Sequence, residues 1–423
     1  MSRDAPVRLA GFGLAVLTLL NLFNSLDRFV VASIVESLKK SELAPTDAQL
    51  GGLASAFLIV YMLTSPLFGV LGDRGSRPRL LAGAVALWSI TTALGGLARS
   101  FAGLFASRAA VGVGEAAYGS IAPALLADYF PDRVRGRVYA VFFAAIPVGS
   151  ATGYILGGLV DQRWGWRAAF LIAGLPGLLL ALLCFALPET RTRDASAVSA
   201  ASRERAGRGY GSLLRNAAYR RIIAGYAAYT FALGALAFWT PAFLVRARGV
   251  PASQATVQFG LIAVGTGFAG TFAGGWLADR LRLRRPEADL LVCGWATLAA
   301  APAALVAFLA PEPAVYLPAI VVAELLLFAS TGPVNSATIG AVATSQRASA
   351  MALQIFAIHL FGDVPSPPLL GAISDRTSLQ TAFLMLPVAI LLAGVIWLYA
   401  AKRAPDVTLS SRATARDPEL GRP

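Results

Sequence analysis

The sequence is poor in the residues that build most soluble active sites. Across 423 residues it has one histidine, two cysteines and only 14% Asp, Glu, Lys and Arg. Two distant cysteines give no disulfide framework, and with a single histidine no Cys/His zinc cluster is expected and at most one His is available to a catalytic triad. Cys184 and Cys293 sit in apolar runs and read as packing residues. A soluble globular chain carries about 25% charged residues to coat its surface. With 57% hydrophobic residues and a mean hydropathy of +0.65, this chain is instead expected to be a polytopic membrane protein. The formal charge of +13 would suggest nucleic acid in a soluble chain; in a membrane protein it follows from cytoplasmic loops rich in Lys and Arg, so no nucleic-acid partner is expected. A Gly-x-x-x-x-Gly-Lys-Ser/Thr loop is missing, as is a soluble domain for a nucleotide, which argues against a primary pump. No metal cluster or nucleophile–base pair argues for an enzyme, and no cofactor is expected.

A helix crosses the hydrocarbon core in about 20 apolar residues. On that ruler twelve spans are predicted, at 9–35, 48–71, 80–98, 101–129, 137–160, 167–187, 221–245, 254–278, 290–310, 314–343, 349–371 and 379–401. The first contains Asp27 and Arg28 and lacks a cleavage site, so it is not read as a signal peptide. Placing both termini and every second loop on one side gathers 26 of the 36 Lys and Arg there and leaves 8 opposite, which predicts that both termini are cytoplasmic. The expected organisation is an N-terminal six-helix bundle (1–187), a cytoplasmic linker (188–219), a C-terminal six-helix bundle (220–403) and a disordered cytoplasmic tail (404–423).

A Gly-x-x-x-Asp pattern closes four spans: Gly69–Asp73, Gly157–Asp161, Gly275–Asp279 and Gly371–Asp375. It recurs every three helices and alternates sides. That is the mark of inverted three-helix repeats within two pseudo-symmetric six-helix bundles. The glycines permit close helix approach, and the carboxylates can sit near a neighbouring helix N-terminus or pair with loop arginines. The cytoplasmic copies read as a conformational latch built from Gly69, Asp73, Arg74, Arg77, Asp279 and Arg280. For the two outer copies, a helix cap with a solvated Asp stands as an equal reading.

The run Gly69 to Arg77 resembles the loop 2–3 signature of the major facilitator superfamily, and Gly275 to Arg284 resembles its C-terminal counterpart. Arg108 to Glu115 resembles the family's arginine-containing motif on span 4, and Leu187-Pro-Glu-Thr190 the common end of span 6. Leu22-Phe-Asn-Ser-Leu-Asp-Arg28, Gly112 to Tyr118, and His359 to Pro368 are similar to the Spinster branch. The resemblance covers essentially the whole chain. It implies the superfamily's all-α fold and transport by alternating access. The proline run Pro365, Pro367, Pro368 is richer than the usual pattern and leaves the end of span 11 open. Gly149, Gly153 and Gly157 have the spacing of an antiporter glycine motif but lack its proline, so close helix packing is the reading taken.

Charges within a bilayer are costly and face a cavity or a partner. Here they cluster. Asn21, Asn24 and Arg28 follow i, i+3, i+7 spacing on span 1, with Asp27 adjacent. On span 4, Arg108 and Glu115 lie two turns apart, roughly 10 Å along one face, with Gly112 between them leaving room for a ligand or side chain and Tyr118 beyond. Glu115 and Asp27 are the candidate proton carriers. Arg28 and Arg108 are candidates for an anionic headgroup, with Asn24, Tyr118, Asn335 and His359 as further substrate-binding candidates. The alternative is static pairing, Asp27 with Arg108 or Glu115 with Arg28, that merely locks one half. In the other half, His359 and Asp363 are i, i+4; a pH sensor with Asp363 as relay and a plain packed hydrogen bond are both open. Glu324 begins a stripe with Thr331, Asn335 and Thr338 but sits early in its span, so it is placed near the outer surface and not read as a coupling residue. The aromatics of span 7, Tyr226, Tyr229, Phe231, Phe238 and Trp239, read as packing before cavity lining.

One half thus offers two cations and two carboxylates, and the other mainly apolar and aromatic surface. That asymmetry suits an amphiphile. The Spinster resemblance implies lysolipids or sphingosine-phosphate-like substrates, in some members with proton coupling. The expected function is a proton-coupled secondary transporter of an amphiphilic lipid or related organic anion, working as a monomer in a bacterial-type inner membrane. The alternatives are a transporter of a small organic acid, sugar or drug-like solute, or a non-transporting membrane receptor.

Overall fold

The computed structural model describes residues 7–189 and 210–403. Most of the predicted linker and all of the predicted tail fall outside the described residues, as do the side chains of Asp73 and Arg74. The described chain is helical throughout: α1 (Val7–Ser33), α2 (Val35–Lys40), α3 (Asp47–Arg74), α4 (Arg77–Gly96), α5 (Phe101–Tyr129), α6 (Asp132–Trp164) and α7 (Trp166–Cys184) form the N-terminal half. The C-terminal half holds α8 (Tyr210–Arg215), α9 (Ala217–Arg248), α10 (Ala252–Arg282), α11 (Ala288–Leu309), α12 (Pro313–Phe328), α13 (Thr331–Gly340), α14 (Arg347–Ile358), α15 (Ser366–Arg376), α16 (Leu379–Phe383) and α17 (Met385–Lys402). The end of the predicted linker is therefore helical, in α8 and the first turn of α9. Polar residues outside the apolar runs fix several starts. Thr46 and Gln49 form a reciprocal capping box on α3, and Ser100 and Asn216 accept from backbone amides at the starts of α5 and α9. Gly249, at φ 67°, takes the left-handed position that ends α9.

Eleven helices among the described residues are long and apolar enough to cross a membrane. The predicted span at 349–371 is the exception: it is a broken crossing made of α14, a π-helical turn at His359–Asp363 and α15. Prolines are the cause. Pro365, Pro367 and Pro368 lack the N–H groups that would bond back to Phe361, Asp363 and Val364. Neighbouring helices satisfy part of what is freed. The Val364 carbonyl accepts from the Ser55 hydroxyl of α3 at 2.5 Å. Trp239 Nε1 of α9 also donates to the Pro367 carbonyl at 2.9 Å, tying the crossing to α9.

Packing repeats between the halves. In the first, α1 lies on α6, α3 on α5, and α4 on α7; in the second, α9 lies on the α14–α15 crossing, α10 on α12, and α11 on α17. Across the halves, α3 meets α15 and α6 meets α10. These pairings are those of one three-helix unit used four times. The glycine run of α6 lets α1 approach: a Cβ at Gly149 or Gly153 would stand 2.3 or 2.5 Å from the carbonyl oxygens of Leu22 and Leu26. Gly149→Val is therefore expected to lower stability by about 1–3 kcal/mol through overpacking. Gly11→Val, where nothing lies within 4 Å, should leave it unchanged. Thermal unfolding of the purified protein in detergent measures both.

Candidate functional site

Asp27 and Arg28 are consecutive on α1, so their side chains leave the helix about 100° apart and reach different partners. Arg28 Nε donates to Glu115 Oε2 at 2.6 Å, and Arg108 Nη1 donates to Asp27 Oδ1 at 3.2 Å. Thr92 of α4 donates to the other Asp27 oxygen at 2.7 Å. Two ion pairs thus bridge α1 and α5, and three of their four members are sealed: Asp27, Arg108 and Glu115 are at most 2% exposed. Arg28 differs: 34% of its side chain is open, although its counter-ion is sealed.

The gap expected at Gly112 is filled. A Cβ there would stand 2.5 Å from the Phe57 carbonyl oxygen, because α3 crosses α5 at this point. That crossing brings aromatic rings over the cations: the Arg28 guanidinium lies 5.0 Å from the Phe57 ring centre and 5.2 Å from that of Tyr61. Glu115 Oε1, Arg108 Nε and Asn24 Nδ2 are buried without a hydrogen-bond partner. The polar stripe of α1 is not one open face, since Asn21 turns to α6 and donates to the Phe142 carbonyl at 2.8 Å. Tyr118 is 3% exposed and donates to the Leu17 carbonyl at 2.9 Å.

In the other half the polar groups form separate pairs. His359 Nδ1 lies 2.9 Å from Asp363 Oδ1 within the π turn. Asn335 donates to the Thr331 carbonyl and accepts from Gln354 Nε2 at 2.7 Å; Gln354, 1% exposed, was not singled out in the sequence, where an amide in an apolar run carries no pattern. Tyr226, Tyr229, Phe238 and Trp239 are buried in the core of this half. Glu324 departs from its expected place. It is the twelfth residue of the 28-residue crossing Pro313–Gly340 and 4% exposed, on a helix packed against α10 and α11.

The sequence reading missed a polar lock at the end of the molecule remote from residues 7 and 403, the distal end. Arg246 at the end of α9 binds Glu36 of α2 and Asp47 of α3, each at 2.6 Å. Asp47, 1% exposed, also holds Lys39 at 2.5 Å and accepts from Ser374 of α15 at 2.6 Å. Asp375, the fourth Gly-x-x-x-Asp carboxylate, accepts from the backbone N–H groups of Asp47 and Ala48 at 2.8 and 2.9 Å. Though exposed and in the last turn of its own helix, it caps α3 from the opposite half. Gly51 and Gly371 permit this approach; a Cβ on either would stand within 2.3 Å of backbone across the contact. The second copy, Asp161, accepts from Ser37 at 2.5 Å within its own half. Of the predicted latch near the termini, Arg77 binds Asp128 at 2.5 Å, Asp279 binds Arg282 of its own helix at 3.0 Å, and Arg280 lies over the Trp276 ring.

Sequence and structure comparisons agree with this architecture. The profile of the Major Facilitator Superfamily matches residues 17–362. Protein spinster homolog 3 of Danio rerio is 36% identical over 384 residues, covering 86% of this chain and 76% of its own length. The sphingosine-1-phosphate transporter SPNS2 of Mus musculus is 33% identical over 417 residues, covering 91% and 76%. A crystal structure of a bacterial homologue of the human lysosomal transporter Spinster, in an inward-facing and unoccupied conformation, superposes with a TM-score of 0.83 at 22% identity, over 94% of this chain and 98% of that one.

Removing Arg246 takes its cation from Glu36 and one of two cations from Asp47 at the distal contact. Arg246→Ala should accelerate maleimide labelling of a cysteine introduced at Ala242, which is 1% exposed, by several-fold. Both native cysteines are buried and give a low background. An unchanged labelling rate would show that the lock does not hold the distal end.

Proposed function

Because the chain belongs to the major facilitator superfamily and to its Spinster branch, we propose that this multi-pass membrane transporter moves an amphiphilic lipid anion by alternating access, coupled to protons. It works as a monomer in a cytoplasmic membrane with both termini inside. The distal lock then faces outward, and the conformation described is open toward the cytoplasm. The observation that carries the reading is the Arg28–Glu115 pair: an intramembrane cation with part of its side chain open, whose counter-ion is a fully buried carboxylate. Two ion pairs held only for rigidity would have no reason to leave one guanidinium open.

The chemistry follows from competition for Arg28. While Glu115 is ionised it occupies the guanidinium through a charge-assisted hydrogen bond. A proton on Glu115 cancels that attraction and frees Arg28 for an anionic headgroup, with the Phe57 and Tyr61 rings against its planar face. Asp27, Arg108 and Thr92 form the sealed scaffold that holds α1, α4 and α5 in register, so Arg108 supports Arg28 rather than sharing the headgroup. Asn335 and His359 offer polar contacts from the opposite half, whose surface is otherwise apolar and suits an acyl chain. The name of the mouse relative, a sphingosine-1-phosphate transporter, supports a phosphate head with a single tail.

Proton and anion therefore bind together. Lowering the pH should tighten binding of a lysolipid phosphate by up to about tenfold per pH unit, the limit for one linked proton. Glu115→Gln should abolish that slope and uncouple accumulation in proteoliposomes from an imposed pH gradient; full gradient-driven accumulation in the variant would defeat the assignment. Arg28→Ala should weaken an anionic lysolipid by about 1.5–3 kcal/mol, the worth of a hydrogen bond to a charged group. A neutral monoacylglycerol should be little affected, and equal losses measured by calorimetry would count against headgroup recognition.

A further inference from the structure

Glu324 is the one buried carboxylate of the C-terminal half for which no cation partner is found among the described residues. It sits mid-crossing on α12, 4% exposed, and the one hydrogen-bond partner found for it among the described residues is the Thr266 hydroxyl of α10 at 3.3 Å, a hydroxyl that also donates to the Ile262 carbonyl at 2.7 Å. The titratable groups facing it are Tyr154 from α6 and Tyr229 from α9. Neither offers it a proton: Tyr154 donates to the Ala237 carbonyl at 2.5 Å and Tyr229 to the Leu327 carbonyl at 2.9 Å. The helices packed on α12, namely α10 and α11, bring no charged side chain to it. An ionised carboxylate placed here would carry a desolvation penalty of several kcal/mol with one weak hydrogen bond to offset it. The neutral acid needs far less.

Its position ties that proton to the motion between the halves. Thr266 is on the helix that crosses into the other half, and the next residue, Gly267, lies between Pro147 of α6 and Phe328 of α12, at 3.9 and 4.0 Å from a built Cβ. Tyr154 of α6 meets Phe259 of α10 edge-on at 5.0 Å, completing the apolar cover on that side. Because α10 packs directly on α6, parting of the halves at the distal end would withdraw this cover.

We propose that Glu324 is a second proton-binding site, loaded while the distal end is sealed and unloaded when α6 and α10 separate. The site deepens the proton-coupled reading given above and rests on it only for its role in transport, because the proton itself is detected directly. The experiment is infrared difference spectroscopy of the full-length protein in lipid, reading the carbonyl stretch of protonated carboxyl groups. At neutral pH the wild type should show a band that is lost in Glu324→Gln and retained in Glu115→Gln. Thr266→Val keeps the acid but removes its hydrogen bond, so it should shift the band; this variant assigns the signal if Glu324→Gln folds poorly. Arg246→Ala, which releases the distal lock, should diminish the band. A Glu324→Gln spectrum identical to wild type, or a band indifferent to both Thr266→Val and Glu324→Gln, overturns the site. A Glu324 band unchanged by Arg246→Ala overturns its release on opening. If Glu115→Gln keeps gradient-driven transport while the Glu324 band behaves as stated, the Glu115 assignment fails and the Glu324 site stands.

Discussion

The bond between Arg28 and Glu115 sets the terms for the rest of the molecule. An ionised carboxylate at zero exposure in a membrane protein needs a cation beside it, and the cation is usable by a substrate only if part of it stays open. Both conditions are met because α1 presents two adjacent ionisable residues to one neighbour, α5. The Asp27–Arg108 pair absorbs the structural demand, leaving the second pair free to change. On the proton-coupled reading proposed above, a single shared pair would loosen the helix contact together with the ligand site.

The same helix links this centre to the distal lock. The middle of α1 carries Asp27 and Arg28, and its end leads directly into α2, which supplies Glu36 and Lys39 to Arg246 and Asp47. Close contact with the glycine run of α6 holds α1 along its length, and α6 in turn rests on α10 of the other half. The charged centre, the lock and the buried acid at Glu324 therefore sit on elements in direct contact. Each of the two halves keeps its own titratable carboxylate, one beside an arginine and one beside a threonine.

Much of the architecture was legible because a membrane imposes a coarse rule: about 20 apolar residues per crossing, with Lys and Arg biased to one side. The internal Gly-x-x-x-Asp repeat and the cluster of charges on spans 1 and 4 were visible for the same reason, since a polar residue stands out against an apolar run. Three things were not legible. The room expected at Gly112 is occupied by α3, because a missing side chain does not tell whether a ligand or a backbone fills the space. Glu324 was misplaced although its span was drawn to within one residue at the start, because position along a span does not tell which side chains the neighbouring helices cover. Glu36, Asp47 and Arg246 went unnoticed because charges at span ends are ordinary, and only the folded chain shows them meeting across the two halves.

Asp375 holds a consequence of a different kind. Its two oxygens satisfy the first free amides of α3, so part of one bundle's secondary structure is completed by the other. Separating the bundles at that end removes the acceptor and leaves the opening turn of α3 to water or to Thr46 alone. In transport by alternating access, the first turn of α3 would then be fully capped only while this end is shut, and the cost of uncapping it would count against opening.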